Sequence, residues 1–274
     1  MTAAIRSEFR KFLSTRMWWI LALGMFAYLA FIGLVMAFSF AQASSMSQQD
    51  LAEAAESGAV LPLGVDAAKM AYSVTSPLGY VFPLIIGSLL FTNEFRHKTI
   101  TPTLLVEPRR TLLVVAKLIV AAIFGLAIGL LATLGTVAGA APILSLLGDG
   151  AYLGSGAVWQ LLGWSVVVMA IWTILGVSIG GLLTNQVAAI IVIIGFTQFI
   201  EPIARVVASA VDWLEGIGAY LPGAAADAVL GTSFFGTMAE GDMLPRWAGV
   251  LVLAVYIAIF AVGSRLITLR RDIG

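Results

Sequence analysis

Long apolar runs alternate along the chain with short polar or charged stretches, and the runs are too long for strands of a soluble core. A helix that crosses ~30 Å of hydrocarbon needs about 20 apolar residues. Six segments meet or approach that length: 17–40, which holds no charge; 74–91, interrupted by Pro77 and Pro83; 112–141, with Lys117 near its start; 158–183; 187–207; and 247–267. In lipid each backbone must satisfy its own hydrogen bonds, so these segments read as helices. The period-two alternation of a membrane barrel is absent. The expected fold class is an all-α polytopic membrane protein, with residues 1–274 forming one transmembrane domain. The fifth segment is the irregular one, because its clear apolar stretch ends at Ile200 and is followed by Glu201 and Pro202. It either continues through Val207, which puts Glu201 and Arg205 on one helical face, or breaks at Pro202.

The connecting segments add detail. In residues 1–16, Ile5, Phe9, Phe12 and Leu13 recur at helical spacing with Arg6, Arg10 and Lys11 between them, the pattern of a basic amphipathic helix lying in the interface. The first apolar run is about 24 residues long, beyond the 7–15 of a signal-peptide core, so it reads as a span and not as a cleaved leader. Residues 41–73 are polar and acidic, with a short helix expected from Gln48 to Ser57. Thr184-Asn185-Gln186 is a turn short enough to make spans four and five antiparallel neighbours. Residues 208–246 carry Ile217, Tyr220, Leu221, Val229, Leu230, Phe234 and Phe235, more apolar surface than a loop in water bears. They read as short re-entrant helices dipping into the membrane, with a small folded cap as the alternative. Gly125/Gly129, Gly135/Gly139 and Gly176/Gly180 are small-xxx-small pairs suited to close helix packing.

Composition agrees with the pattern. Hydrophobic residues make up 60% of the 274 and charged residues 11%, against about a quarter charged in soluble domains. The formal net charge is zero, yet the charge is polarised. With the N-terminus placed in the cytoplasm, 12 of the 15 Lys and Arg residues fall on the inner side and only Lys69, Arg205 and Arg246 on the outer side. The positive-inside rule favours that orientation, with both termini cytoplasmic and the chain in the inner or plasma membrane. The acids run the other way. Trp18 and Trp19 then sit at the inner boundary, and Trp159 and Trp247 at the outer one. With no basic domain, nucleic-acid binding is not expected.

Little catalytic chemistry is legible. There is no G-x-x-x-x-G-K-[ST] phosphate loop. His97 is the single histidine and there is no cysteine, so no His/Cys metal cluster can form. No carboxylate pair lies mid-membrane, and no catalytic constellation is evident; the chain is expected to be neither an enzyme nor the holder of a cofactor or metal. Lys117 is expected to snorkel to the nearby surface. Glu201 and Arg205 are expected to form a partly buried ion pair that holds span five to the re-entrant segment.

The informative stretch is 92–111, charged in both signs yet carrying Ile100, Leu104, Leu105 and Val106. Its order of Glu94-Phe95-Arg96, then Thr99-Ile100, then Leu104-Leu105, then Pro108-Arg109-Arg110, then Ala116-Lys117 opening a helix resembles the coupling region of type-2 ABC exporter permeases. The likeness covers the whole chain: a basic amphipathic N-terminus, six spans, a polar loop after the first, and an apolar re-entrant segment before the sixth, where Tyr220-Leu221-Pro222 and the small residues that follow are similar to the family's. Lys98 is a departure, since the family commonly has Gly before the Thr. The resemblance implies the membrane subunit of an ATP-driven exporter without its own ATPase. Its partners would be separate ABC nucleotide-binding subunits, which hold the ATP and Mg²⁺, and a second permease copy, identical or related, in the lipid bilayer. It further implies that Glu94, Arg96, Thr99, Ile100, Leu104 and Leu105 couple the permease to the ATPase, whose closure would push on 94–106 and tilt spans two and five. Two other readings stand beside it: a stand-alone carrier or channel for a neutral or amphipathic solute, and a membrane assembly or sensor subunit that transports nothing. The lack of mid-membrane charge weighs against an ion-coupled carrier.

Overall fold

The computed structural model describes residues 1–47, 49–50, 53, 56, 62–211, 216–233 and 243–268. Among these there is helix and turn but no strand, and six helical columns are long and apolar enough to cross a membrane. The chain is an all-α polytopic membrane protein. The elements are α1 (Thr2–Ser14), α2 (Met17–Ser44), α3 (Gly64–Ser73), α4 (Thr75–Gly79), α5 (Val81–Arg96), α6 (Ile100–Val106), α7 (Arg110–Leu147), α8 (Gly156–Leu182), α9 (Gln186–Gly195), α10 (Glu201–Ala210), α11 (Pro222–Leu230) and α12 (Arg246–Gly263).

The second column differs from the sequence expectation. It begins at Gly64, not Val74, because α3, α4 and α5 run on from one another with single turn residues at Val74 and Tyr80. Pro77 and Pro83 fall in the first turns of α4 and α5, where a missing N–H leaves no helical bond unmade. Residues 64–73 therefore belong to this column and not to a polar loop. The helix expected at Gln48–Ser57 lies largely outside the described residues, as do Phe234 and Phe235. α7 is longer than expected and continues through Pro142 to Leu147; at 1.5 Å per residue its 38 residues extend about 57 Å, well beyond a hydrocarbon core.

Span five does not break at Pro202. Between α9 and α10 the helix widens into a π turn over Phe196–Ile200, in which the Glu201 N–H reaches back five residues to the Phe196 carbonyl. The wide turn accommodates Pro202, which has no N–H to give. Asn185 caps the start of α9, its side chain accepting from the Val187 and Ala188 N–H groups, which is why so short a turn suffices there.

The column Gly64–Arg96 and α8 form the middle of the bundle, with 83% and 67% of an 18-residue apolar stretch of each buried, against 22% for spans five and six. Glycines set the spacing, and each pair faces one neighbour. A Cβ added at Gly125 or Gly129 of α7 would strike α8 at Ala170 or Val166; at Gly135 or Gly139 it would strike α2 at Phe26 or Ala30; at Gly176 or Gly180 of α8 it would strike Leu84 or Ser88 of α5. These are backbone-to-backbone approaches that only glycine permits. In residues 216–233 the chain makes a 3₁₀ turn at Gly218–Tyr220 and then α11, whose residues are almost all buried, packed on α12 and α8.

The contacts imply a sharp contrast between two glycine substitutions. Gly139→Leu would drive its side chain into the Ala30 carbonyl and should cost about 1–3 kcal/mol or more. Gly163 has nothing within 4 Å of a would-be Cβ, so Gly163→Leu should leave the melting temperature of the detergent-solubilised chain unchanged or higher. Equal losses at the two positions would contradict the packing.

Two buried charge clusters as the candidate functional site

One end of the bundle is basic. There α1 lies against α7, with Phe9 stacked on Phe124 at a centroid distance of 4.6 Å and Phe12 tilted against it at 4.3 Å. Glu8 sits in the middle of that apolar face, between Ile5 and Phe12, and is 3% exposed. It meets Lys117, which is fully buried. The expectation that Lys117 snorkels is thus wrong: its ammonium donates to Glu8 and to the Leu90 carbonyl at 2.7 Å, lies 3.2 Å from Glu94, and rests 4.8 Å from the centroid of the Phe91 ring. Lys11 completes the group, donating to Glu8 at 2.6 Å, Glu94 at 2.7 Å and the Thr103 hydroxyl at 3.0 Å. Two carboxylates and two ammoniums from α1, α5 and α7 therefore balance in charge, and the Thr103 bond ties α6 to them. The second Glu94 oxygen, Oε2, is buried without a hydrogen-bond partner.

The residues expected to couple the chain to a partner divide into two sets. Glu94 and Ile100 are buried, the former inside the charge cluster and the latter in the apolar core beneath α6. Leu104 is half-buried against the same core. Glu94 and Ile100 thus present almost no surface to a docking protein, while Leu104 keeps part of its surface open. Arg96, Thr99 and Leu105 are exposed. Arg96 also donates to Gln186 at 3.0 Å, joining α5 to α9, and the Thr99 N–H closes the turn on the Glu94 carbonyl at 2.9 Å. Leu105 is 79% exposed and its neighbour Val106 is 88% exposed. Lys98 adopts a left-handed conformation with φ of 55°, a conformation in which glycine is unstrained and a side chain is not.

At the opposite, acidic end lies a second cluster. Glu201 and Arg205 meet at 3.3 Å, and Arg205 also donates to Asp227 of α11 at 2.8 Å. Glu201 accepts from the Gly223 N–H, and the Tyr80 hydroxyl, which donates to the Thr197 carbonyl at 2.7 Å, lies 3.3 Å from it. Asp227 accepts from Ser233 at 2.9 Å. Glu201 and Asp227 are 1% and 2% exposed. The ion pair thus holds span five to α11 through a third residue, Asp227. Beside the cluster is a cavity of about 170 Å³, with Tyr80, Trp172, Thr197 and Gln198 among its lining residues.

Glu8, Tyr80 and Asp227 escaped the sequence reading, and Lys117 was seen there but given the wrong role. Two of them left a signal: Glu8 interrupts the apolar face of an amphipathic helix, and Asp227 is the one charge in an apolar run, each a cue for a buried partner.

A family model described as an ABC-2 family transporter protein matches residues 4–204. The chain belongs to the ABC-2 transporter family. It is accordingly the membrane permease component of an ABC transporter. Comparison with curated proteins returns no match. The matched region takes in the basic-end cluster of this ABC-2 permease and Glu201, and ends just before Arg205.

The electrostatics of the basic end are open to titration. Burial alone would raise the Glu8 carboxyl, but Lys117 and Lys11 outweigh it and hold it below its ordinary value of 4.5. Burial would lower Lys11, but Glu94 and Glu8 raise it above its ordinary 10.5. The contribution of Glu8 is therefore complete above the ordinary carboxylate range and is lost as the pH falls through the depressed folded value. That of Lys11 is complete below 10.5 and is lost as the pH rises through the elevated one. Stability should be flat near neutrality, and Glu8→Gln should make the acid-side decline shallower. Lys117→Met, which leaves two buried carboxylates facing Lys11 alone, should cost about 3–5 kcal/mol in denaturation of the solubilised protein. A Lys117→Met variant as stable as the parent would contradict the cluster.

Proposed function

We propose that this ABC-2 permease is the membrane half of an exporter driven by separate ATPase subunits that dock at its basic end. That end is cytoplasmic in this reading, as the 12-to-3 distribution of basic residues favours. ATP and Mg²⁺ would reside on the partner, and this chain would supply the path, paired with a second permease copy across the bilayer. One observation carries the proposal. The short helix α6 ends in two adjacent side chains, Leu105 and Val106, that are among the most exposed apolar residues of the protein. They sit at the end whose basic flanks belong in water, where lipid does not cover them, and a soluble partner would bury them. Burying such a side chain contributes about 1.5–3 kcal/mol.

The reading assigns the coupling residues different roles. Leu105, Val106, Thr99 and Arg96 would face the ATPase, while Glu94, Ile100 and Leu104 would pass its displacement to α5 and α1 from within. The double substitution Leu105→Asp/Val106→Asp should lower recovery of the ATPase subunit with the tagged permease by about tenfold or more, given two lost apolar contacts. The melting temperature of the permease alone should stay as it was, because neither side chain packs inside it. Undiminished recovery of the ATPase, or ATP-independent transport by the purified permease, would overturn the proposal.

A further inference from the structure

The cavity at the acidic end carries a charge that its own residues do not balance. Glu201 and Asp227 are buried and share one guanidinium, that of Arg205, and among the described residues that line the cavity there is no other base. None is near in sequence either: between Arg205 and Arg246 there is no Lys, Arg or His, while Asp212, Glu215, Glu240 and Asp242 are added to Asp227. Among the described residues the same imbalance runs through this end, where Asp50, Glu53, Glu56, Asp66, Asp149, Glu201 and Asp227 outnumber Lys69, Arg205 and Arg246. A field of that sign concentrates cations and repels anions.

Two features on the cavity wall narrow the kind of cation. Tyr80 and Trp172 lie with ring centroids 4.6 Å apart at 42°, offering aromatic surface of the sort that attracts organic ammonium groups. The Trp172 indole N–H is buried and has no hydrogen-bond partner, and a buried donor left unmade is costly enough to call for an oxygen acceptor. The volume, about 170 Å³, is near that of cavities of roughly 150 Å³ that accept benzene, so the guest has only a handful of heavy atoms. A bare metal ion would use neither the rings nor the N–H.

We propose that this cavity binds a small organic ammonium ion that also carries a neutral oxygen, such as an amino alcohol. The ammonium lies beside the carboxylates of Glu201 and Asp227, and the oxygen accepts from Trp172. All the residues come from one copy of the chain, and the site stands whether or not an ATPase docks at the other end.

Calorimetry on the purified full chain in detergent tests this with four small two-carbon probes: ethanolamine, ethylamine without the oxygen, ethylene glycol without the charge, and glycolate with the charge reversed. Ethanolamine should bind most tightly and glycolate not at all. Glu201→Gln and Asp227→Asn each remove the spare negative charge and should each weaken ethanolamine by about tenfold or more. Trp172→Phe keeps a ring but loses the N–H, so it should weaken ethanolamine and leave ethylamine unchanged. Repeating the titration in nanodiscs with and without phosphatidylethanolamine separates the sources: competition by the lipid assigns the same ammonium–oxygen pair to a headgroup, and its absence assigns it to a free amine. Equal binding of ethylene glycol or glycolate, no binding of ethanolamine, or ethanolamine binding unchanged in both carboxylate variants would overturn the proposal. So would a melting temperature that rises on acidification but ignores ethanolamine, since the cluster would then take up a proton only.

Discussion

An ammonium group removed from water must find counter-charge, and Lys117 imposes that demand on the whole basic end of the molecule. The desolvation of one such ion amounts to several kcal/mol even after relaxation. Glu94 on α5 lies 3.2 Å away and is shared with Lys11, so it does not meet the demand alone. Glu8 supplies the rest, and it lies on α1. The N-terminal helix is therefore a structural member of the bundle as well as an interfacial one. Its phenylalanines pack on Phe124, and Glu8 and Lys11 complete a quartet whose formal charge is zero. Through Thr103 the same quartet reaches α6. In the proposed exporter a push on Leu105 and Val106 would arrive at α1, α5 and α7 together.

The two ends of the protein use charge in different ways. At the basic end, two acids and two bases cancel, and the result is a joint. At the acidic end, two acids face one base beside a cavity, and the result is a place that attracts a cation. A single element links them: α5 begins directly after Tyr80, whose hydroxyl lies beside Glu201, and contains Glu94 near its other end. Its 16 residues extend about 24 Å. Between the clusters, glycine-mediated contacts of α5 with α8, α8 with α7, and α7 with α2 leave little room for the helices to slide independently. The outlying spans five and six have far more of their surface uncovered, which lipid or a second copy would meet.

Much of this architecture was legible from the chain because a bilayer imposes length and polarity on each span. The six apolar columns, the amphipathic α1 and the glycine pairs follow from periodicity and composition alone. What did not follow depends on tertiary neighbours. Val74 as a span boundary failed because residues 64–73, though polar enough for a loop, are sheltered by α2, α7 and α8. The fate of span five at Pro202 turned on a π turn, which no local pattern announces. Lys117 was misread because snorkelling is the default for a lysine near a helix end, and its carboxylate partners lie 109 and 23 positions away in the chain. The outer pair Glu201 and Arg205 was visible from its spacing, but Asp227, which completes it, comes from α11, 22 residues on from Arg205.

Hydrogen exchange of the α1 backbone, compared between the parent chain and Lys117→Met in lipid nanodiscs, tests most directly whether the buried quartet holds the N-terminal helix in place. If it does, α1 amides will exchange slowly in the parent and become markedly faster in the variant, while α11, in the cluster at the opposite end, keeps its protection. An α1 as well protected without Lys117 as with it would show that apolar packing on Phe124 suffices and that the buried charges are not what organises this end.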